Sequence, residues 1–169
     1  MAKILTSMVL GVALIATAGC TKKRPETVLP PGDGPVSNGG DTGSGDADTS
    51  PLNEQFRREV ASDTIHFAFD QYDIDPQSRA ILDSQAAWLR AHPNTRVTIE
   101  GHCDERGTRE YNLALGDRRA NATKNYLAAQ GVSPARITTI SYGKERPVAL
   151  GSDDQSWAAN RRAVTIVIN

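Results

Sequence analysis

Residues 21–51 read TKKRPETVLPPGDGPVSNGGDTGSGDADTSP, and this run limits what the chain can fold into more than any other. Its 31 residues include six Gly and five Pro, with Val28, Leu29 and Val36 as the only large apolar side chains. So little apolar surface cannot offset the entropy lost on ordering a chain. The segment is expected to be a disordered tether, with a globular domain from Leu52 to Asn169. The 169 residues less the first 51 leave 118 for that domain, enough for one hydrophobic core.

The residues before the tether have the pattern of an export signal. Lys3 supplies a positive start, and MVLGVALIATA at 8–18 is an apolar run too short to span a bilayer. Two cleavage patterns overlap at its end. Ala16-Thr17-Ala18 fits the A-x-A rule of ordinary secretion. Ala18-Gly19-Cys20 is similar to the end of a bacterial lipobox, although Thr17 stands where Leu is commoner. A Cys directly after Ala-Gly favours the lipoprotein: residues 1–19 form a removed signal peptide, Cys20 is the acylated mature N-terminus, and 20–51 comprise the lipidated Cys and its tether. An incidental Cys just past a soluble cleavage site is the alternative. About thirty flexible residues reach on the order of 30 Å, or ~100 Å when pulled straight, so a lipidated Cys20 would hold the domain away from a membrane.

Within 52–169 the hydrophobic pattern predicts alternating elements. TIHFAF (64–69) places Ile65, Phe67 and Phe69 on one face of a strand, and Pro76 opens a helix over 76–91 with Leu82, Ala86 and Leu89 on one stripe. TRVTIEG (95–101) is a second strand. A long helix runs from about Thr108 to Gln130, with Leu115, Thr123 and Leu127 facing inward and Gly131 as its stop. RITTISYG (136–143) and RAVTIVIN (162–169) are two more strands, with a short helix expected around 153–159. The order βαβα, then two strands, predicts an α+β fold: a two-layer sandwich with helices on one face of a four-stranded sheet.

The most informative stretch for function is GHCDERGTREYNLALGDRRA (101–120), which leaves the second strand, turns through a Gly-containing loop and enters the long helix. Loops beside a helix N-terminus are favoured binding positions because backbone N–H groups there are unpaired. Nineteen basic residues against twenty acidic ones argue against nucleic acid as the reason for its arginines. Asp104 lies in the loop, and Arg119 lies roughly 16 Å along the helix, so they meet only if the loop folds back. Such a pair has two readings. One is a structural ion pair; the other is a receptor for a zwitterion, in which Asp takes an ammonium and the planar Arg fork takes a carboxylate.

This stretch, with FAFDQYDI before it, SYGKERPVALG after it and WAANRRAV near the end, resembles the OmpA-like peptidoglycan-binding domain family over about residues 60–168. Within that family the chain is similar to lipid-anchored members that work with the Tol proteins. The resemblance implies an OmpA-like sandwich with a mixed sheet and no enzymatic activity or cofactor. It implies noncovalent binding of peptidoglycan through the meso-diaminopimelate of the stem peptide. It also implies TolB and TolA as partners, an outer-membrane location with the domain in the periplasm, and a role in attaching the outer membrane to the wall during division. Carried over residue by residue, it assigns Asp104 to the ligand's polar end, Arg119 to its carboxylate and Arg106 to a second cationic contact. Asn112 and Leu115 shape the pocket, and Phe69 and Asp70 contribute from the loop after the first strand. Two positions depart from the family's pattern: Cys103, where Thr or Ala is commoner, and Thr123 in place of Val.

Other chemistries are weaker in this sequence. Cys103 reads as a small buried residue at a strand end; His102 beside it points to the opposite face, so the two do not share a metal ion. Ser141-Tyr142-Gly143-Lys144 spells S-x-x-K, but on a strand rather than the helix that motif needs, and neither S-D-N nor K-T-G occurs. Trp157, Asn160, Arg161 and Arg162 read as the joint between the last helix and the last strand.

Overall fold

The computed structural model describes residues 50–168. The expected signal peptide, Cys20 and the tether up to residue 49 lie outside these residues.

The domain begins with a helix that the hydrophobic pattern did not announce, α1 (Pro51–Glu59). The Ser50 side chain accepts a hydrogen bond from Asn53 N at 3.2 Å, and Pro51 occupies the first turn, where its missing N–H costs nothing. Its Phe56 is fully buried and meets the Trp88 ring edge-to-face at 5.0 Å. Burial of such a side chain contributes roughly 1.5–3 kcal/mol, which explains why so short a helix holds. Asn53 Oδ1 accepts from Val167 N at 2.9 Å and ties the helix to the end of the sheet.

The remaining elements are β1 (Thr64–His66), α2 (Pro76–Ala91), β2 (Val97–His102), α3 (Arg109–Ala129), a 3-10 turn (Pro134–Arg136), β3 (Ile137–Gly143), α4 (Asp154–Asn160) and β4 (Arg162–Val167). Asp75, Thr108 and Asp153 cap the N-termini of α2, α3 and α4 with side-chain oxygens, and Gly131 takes a positive φ just past the end of α3. The sheet order is β1-β4-β2-β3. The last strand thus enters the middle, antiparallel to both neighbours with Ala163 opposite Ile65 and Thr165 opposite Ile99, while β2 and β3 run parallel. This is the expected α+β sandwich with a mixed four-stranded sheet.

Ile65, Val97, Ile99, Ile137, Ala163 and Val167 pack in one core with Leu82, Ala86 and Leu89 of α2 and Ala120 and Leu127 of α3. Two polar side chains buried beside it are paired: Thr165 Oγ1 donates to Gln85 Oε1 at 2.9 Å, and Gln85 Nε2 to Ser62 O at 2.8 Å. A Cβ on Gly101 would lie 1.9 Å from Gly116 O, so the first half of α3 rests directly on the end of β2. That close approach sets Asn112, Leu115 and Arg119 beside the loop that leaves β2.

One strand is shorter than its alternation predicts. β1 ends at His66, and although Phe67 is buried, Phe69 is 60% exposed instead of facing the core. The chain turns at Ala68, with Gln71 N donating to Ala68 O at 3.2 Å, and Asp70 adopts a left-handed φ of 58°. Non-glycine residues take that conformation at a cost, and such sites concentrate where function holds them.

Candidate ligand-binding site

The loop after β1, the loop after β2 and the start of α3 enclose a cavity of about 180 Å³. It is lined by Phe69, Asp70, Cys103, Asp104, Arg106, Gly107, Tyr111, Asn112, Leu115 and Arg119. All seven ligand-binding residues inferred from the sequence are therefore brought together in one place. The volume is below the ~300–1,000 Å³ of sites for drug-sized molecules, and suits the end of a side chain.

Asp104 is the electrostatic centre. Its Oδ1 accepts from Arg106 N at 3.1 Å and Arg106 Nε at 3.2 Å; its Oδ2 accepts from Arg106 Nη2 at 2.6 Å and Arg161 Nη1 at 3.3 Å. Burial pushes its carboxyl upward, but these four bonds outweigh that and hold it below the ordinary carboxylate range. The Arg106 guanidinium lies 4.1 Å from the centroids of both Phe69 and Trp157, a position in which both rings attract the cation. The bond to Asp104 raises the Arg106 pKa further.

Arg119 does not meet Asp104 as the pairing reading required. It is fully buried, and its Nε, Nη1 and Nη2 donate to Gln71 O (2.9 Å), His102 O (2.8 Å) and Ala68 O (3.2 Å). Its guanidinium thereby joins the loop after β1 to the end of β2 and forms part of the cavity wall. Asp104 takes Arg106 instead because that residue is two positions away in the same turn, within reach without folding the loop along the helix.

The loop itself is fixed from several sides. Gly107 turns it with φ +87°, a conformation that costs glycine nothing. Asn112 Nδ2 donates to Arg106 O and Thr108 O at 2.7 and 3.0 Å, and Lys144 Nζ to Glu105 O and Gly107 O at 3.0 and 2.7 Å. Ser141 Oγ donates to Leu113 O at 2.7 Å. Both residues of the S-x-x-K string are thus tied to backbone carbonyls, and they do not form a nucleophile and base. Tyr111 OH donates to Asp70 Oδ1, which raises the Tyr111 pKa. Tyr111 and Asn112, in the first turn of the 21-residue α3, line the cavity, and the helix dipole favours an anion there.

Cys103 is buried in the cavity wall, and burial pushes its thiol pKa up, away from the reactive thiolate. His102 is buried on the opposite face of the sheet, with its ring stacked on Tyr142 at 5.6 Å.

Sequence reasoning missed Trp157 and Arg161. Asn160 and Arg162 do form a joint: Asn160 Oδ1 accepts from Val148 N and Ala149 N at 2.8 and 3.1 Å, and Arg162 Nη2 donates to Arg146 O at 3.2 Å. Trp157 instead stacks on Arg106 and donates from Nε1 to Glu105 Oε1 at 3.0 Å, and Arg161 reaches Asp104. The signal available was an aromatic residue beside two arginines in WAANRR.

This sandwich, with a charged cavity between strand-end loops and a helix N-terminus, defines a small ligand-binding domain. Residues 66–161 match the OmpA family, and the chain belongs to that family. Its relatives within the family carry the name peptidoglycan-associated lipoprotein. It is 46% identical to the one from Brucella melitensis over 153 residues, covering 90% of this chain and 86% of the relative. The one from Pseudomonas aeruginosa is 45% identical over 155 residues, covering 90% of each. Among solved structures, the peptidoglycan-associated lipoprotein from Burkholderia pseudomallei is 44% identical, with a TM-score of 0.62 over 71% of this chain and 95% of that one. The C-terminal domain of Helicobacter pylori MotB, 19% identical with a TM-score of 0.59 over 63% of this chain and 86% of that one, shares the fold.

Proposed function

We propose that this chain is a lipoprotein of the bacterial envelope whose domain binds peptidoglycan noncovalently, through the zwitterionic end of meso-diaminopimelate in the stem peptide. One observation carries the reading: a buried carboxylate, Asp104, faces a small cavity beside an accessible guanidinium fork, Arg106, with a second guanidinium, Arg119, in the wall. Carboxylate and fork are the complements of an ammonium and a carboxylate on one carbon. Phe69 and Leu115 supply apolar contact for the side-chain methylenes, and the α3 N-terminus adds positive potential.

The domain acts by holding its ligand, not by cleaving it. Acylated Cys20 anchors it to the outer membrane, the tether gives it reach, and wall binding links membrane to wall. TolB and TolA are the protein partners of this reading, and support of constriction during division is the role it serves in the cell.

Sedimentation of the full detergent-solubilised chain with purified diaminopimelate-type sacculi tests the reading. Wild type is expected in the pellet and Asp104→Ala in the supernatant, with soluble stem tripeptide releasing the wild type. Wild type remaining in the supernatant, or pelleting equally with and without the tripeptide, contradicts it.

A further inference from the structure

A carboxylate has about four lone-pair positions, and each position on Asp104 is filled from within the chain: two on Oδ1 and one on Oδ2 by Arg106, and one on Oδ2 by Arg161. An incoming ammonium therefore finds no vacant acceptor on Asp104. It must displace a donor, and the two candidates differ. Arg161 has a side chain only 15% exposed and is also fixed by Nε to Phe67 O at 3.0 Å, whereas Arg106 is 35% exposed. Arg106 is the one that yields.

Displacement of Arg106 does not free it to enter water. Its guanidinium lies between the Phe69 and Trp157 rings at 4.1 Å from each, and Asn112 and Lys144 hold the backbone of its loop. A small rotation within that aromatic sandwich takes the fork off Asp104 and leaves a cation that has lost its hydrogen-bonded carboxylate and keeps only the weaker pull of Asp154 and Glu105. The chemistry of the ligand then decides the outcome. A simple amine, such as the side chain of a lysine-type stem peptide, gives Asp104 a new partner but leaves the Arg106 fork without a bonded carboxylate. A zwitterion gives its ammonium to Asp104 and its carboxylate to Arg106, so the number of paired charges is preserved.

Resting on the wall-binding reading above, we infer that Arg106 is the specificity-determining residue of the site. Its resting pair with Asp104 excludes simple amines, and only a ligand bearing an ammonium and a carboxylate together can exchange into it. Trp157 is a positioning residue, because it keeps the displaced guanidinium at the cavity. Specificity arises here from a cost imposed on the wrong ligand as much as from contacts made to the right one.

Calorimetric titration of the full chain with two stem tripeptides, one ending in meso-diaminopimelate and one in lysine, tests the exchange. Wild type is expected to prefer the diaminopimelate peptide by at least ~10-fold, since losing the charge-assisted hydrogen bonds of the fork commonly costs that much. In Arg106→Gln the resident cation is gone, so the lysine peptide should bind no more weakly than to wild type and the preference should shrink to about two-fold or less. Trp157→Leu should reduce the preference while retaining binding of both. A preference unchanged in Arg106→Gln, with both peptides weakened in parallel, overturns the exchange and leaves wall binding standing. Wild type that binds neither peptide overturns the wall-binding reading, and the exchange with it. A second readout needs no ligand: the Asp104 carboxyl should titrate below the ordinary aspartate range in wild type and move up in Arg106→Gln. An unperturbed wild-type Asp104 also overturns the exchange.

Discussion

Replacement of Arg119 by methionine separates the two jobs an arginine can have in this cavity. The side chain gives three charge-assisted hydrogen bonds to the carbonyls of Gln71, His102 and Ala68, each contributing roughly 1.5–3 kcal/mol. Methionine fills much of the same volume and removes the desolvation cost of burying a charge, typically several kcal/mol. It leaves His102 O without its donor in a buried position. The two larger effects offset in part, and we expect a net loss of about 2–4 kcal/mol. For a domain of this size the unfolding entropy near the midpoint is about 0.25 kcal/mol per kelvin, so the midpoint should fall by about 8–16 °C. Thermal unfolding followed by circular dichroism measures it. Arg106→Gln takes two side-chain hydrogen bonds from the Asp104 carboxylate, which keeps those from the backbone N of residue 106 and from Arg161, and should lower the midpoint by less than Arg119→Met does. If Arg119→Met melted with the wild type while losing ligand, Arg119 would be a free ligand clamp and its anchoring role would be refuted.

Further perturbations test other parts of the structure. Gly101→Ala puts a Cβ 1.9 Å from the Gly116 carbonyl oxygen, with backbone on both sides and no flexible atom to yield; the loss should exceed ~3 kcal/mol, and the variant should express poorly or melt far below wild type. Burial lowers the His102 pKa against the opposing pull of Glu100, whose Oε2 is 3.4 Å from Nε2. The folded domain then binds fewer protons than the unfolded chain just below the ordinary histidine value of ~6.5, so stability is full above that pH and declines as pH falls through it. His102→Gln should flatten that slope in urea titrations without abolishing it, because the His66 pKa is lowered too. Asp104 contributes in a lower window: its folded pKa lies below the unfolded value of ~3.9, so its stabilisation is present above that pH and lost as pH falls through the folded pKa. Asp104→Asn should remove this acid-range component.

Most of the fold was legible because local signals and tertiary demands agree. Asp75-Pro76 starts a helix by capping chemistry alone, and Leu82, Ala86 and Leu89 are the stripe that the core buries. The first helix was not legible, because PLNEQFRRE offers only Leu52 and Phe56 as large apolar residues and follows a Gly- and Pro-rich segment. Its stability comes from Phe56 docking on Trp88, a contact 32 residues away in sequence. The alternation through Phe69 overstated β1, because β4, its pairing partner, begins at Arg162 opposite His66 and the Ala68 carbonyl is held by Arg119 instead of a neighbouring strand.

The site was legible in membership and not in its internal pairing. Residues on the two loops and the first half of α3 had to converge once β2 and α3 packed. That Arg161 would join Arg106 at Asp104, and that Trp157 would cover Arg106, depends on β4 lying between β1 and β2. That order places the end of α4 beside the end of β2, and the hydrophobic pattern carries no record of strand order.

The most direct test of the central claim is a map of amide chemical shifts on the full chain during titration with the meso-diaminopimelate tripeptide. Shifts are expected only at 69–70, 103–107, 111–115 and 119, with further changes at Trp157 and Arg161 as Arg106 exchanges. Shifts that spare these residues and fall instead along the opposite face of the sheet, at Thr138, Ile140 and Tyr142, would contradict it.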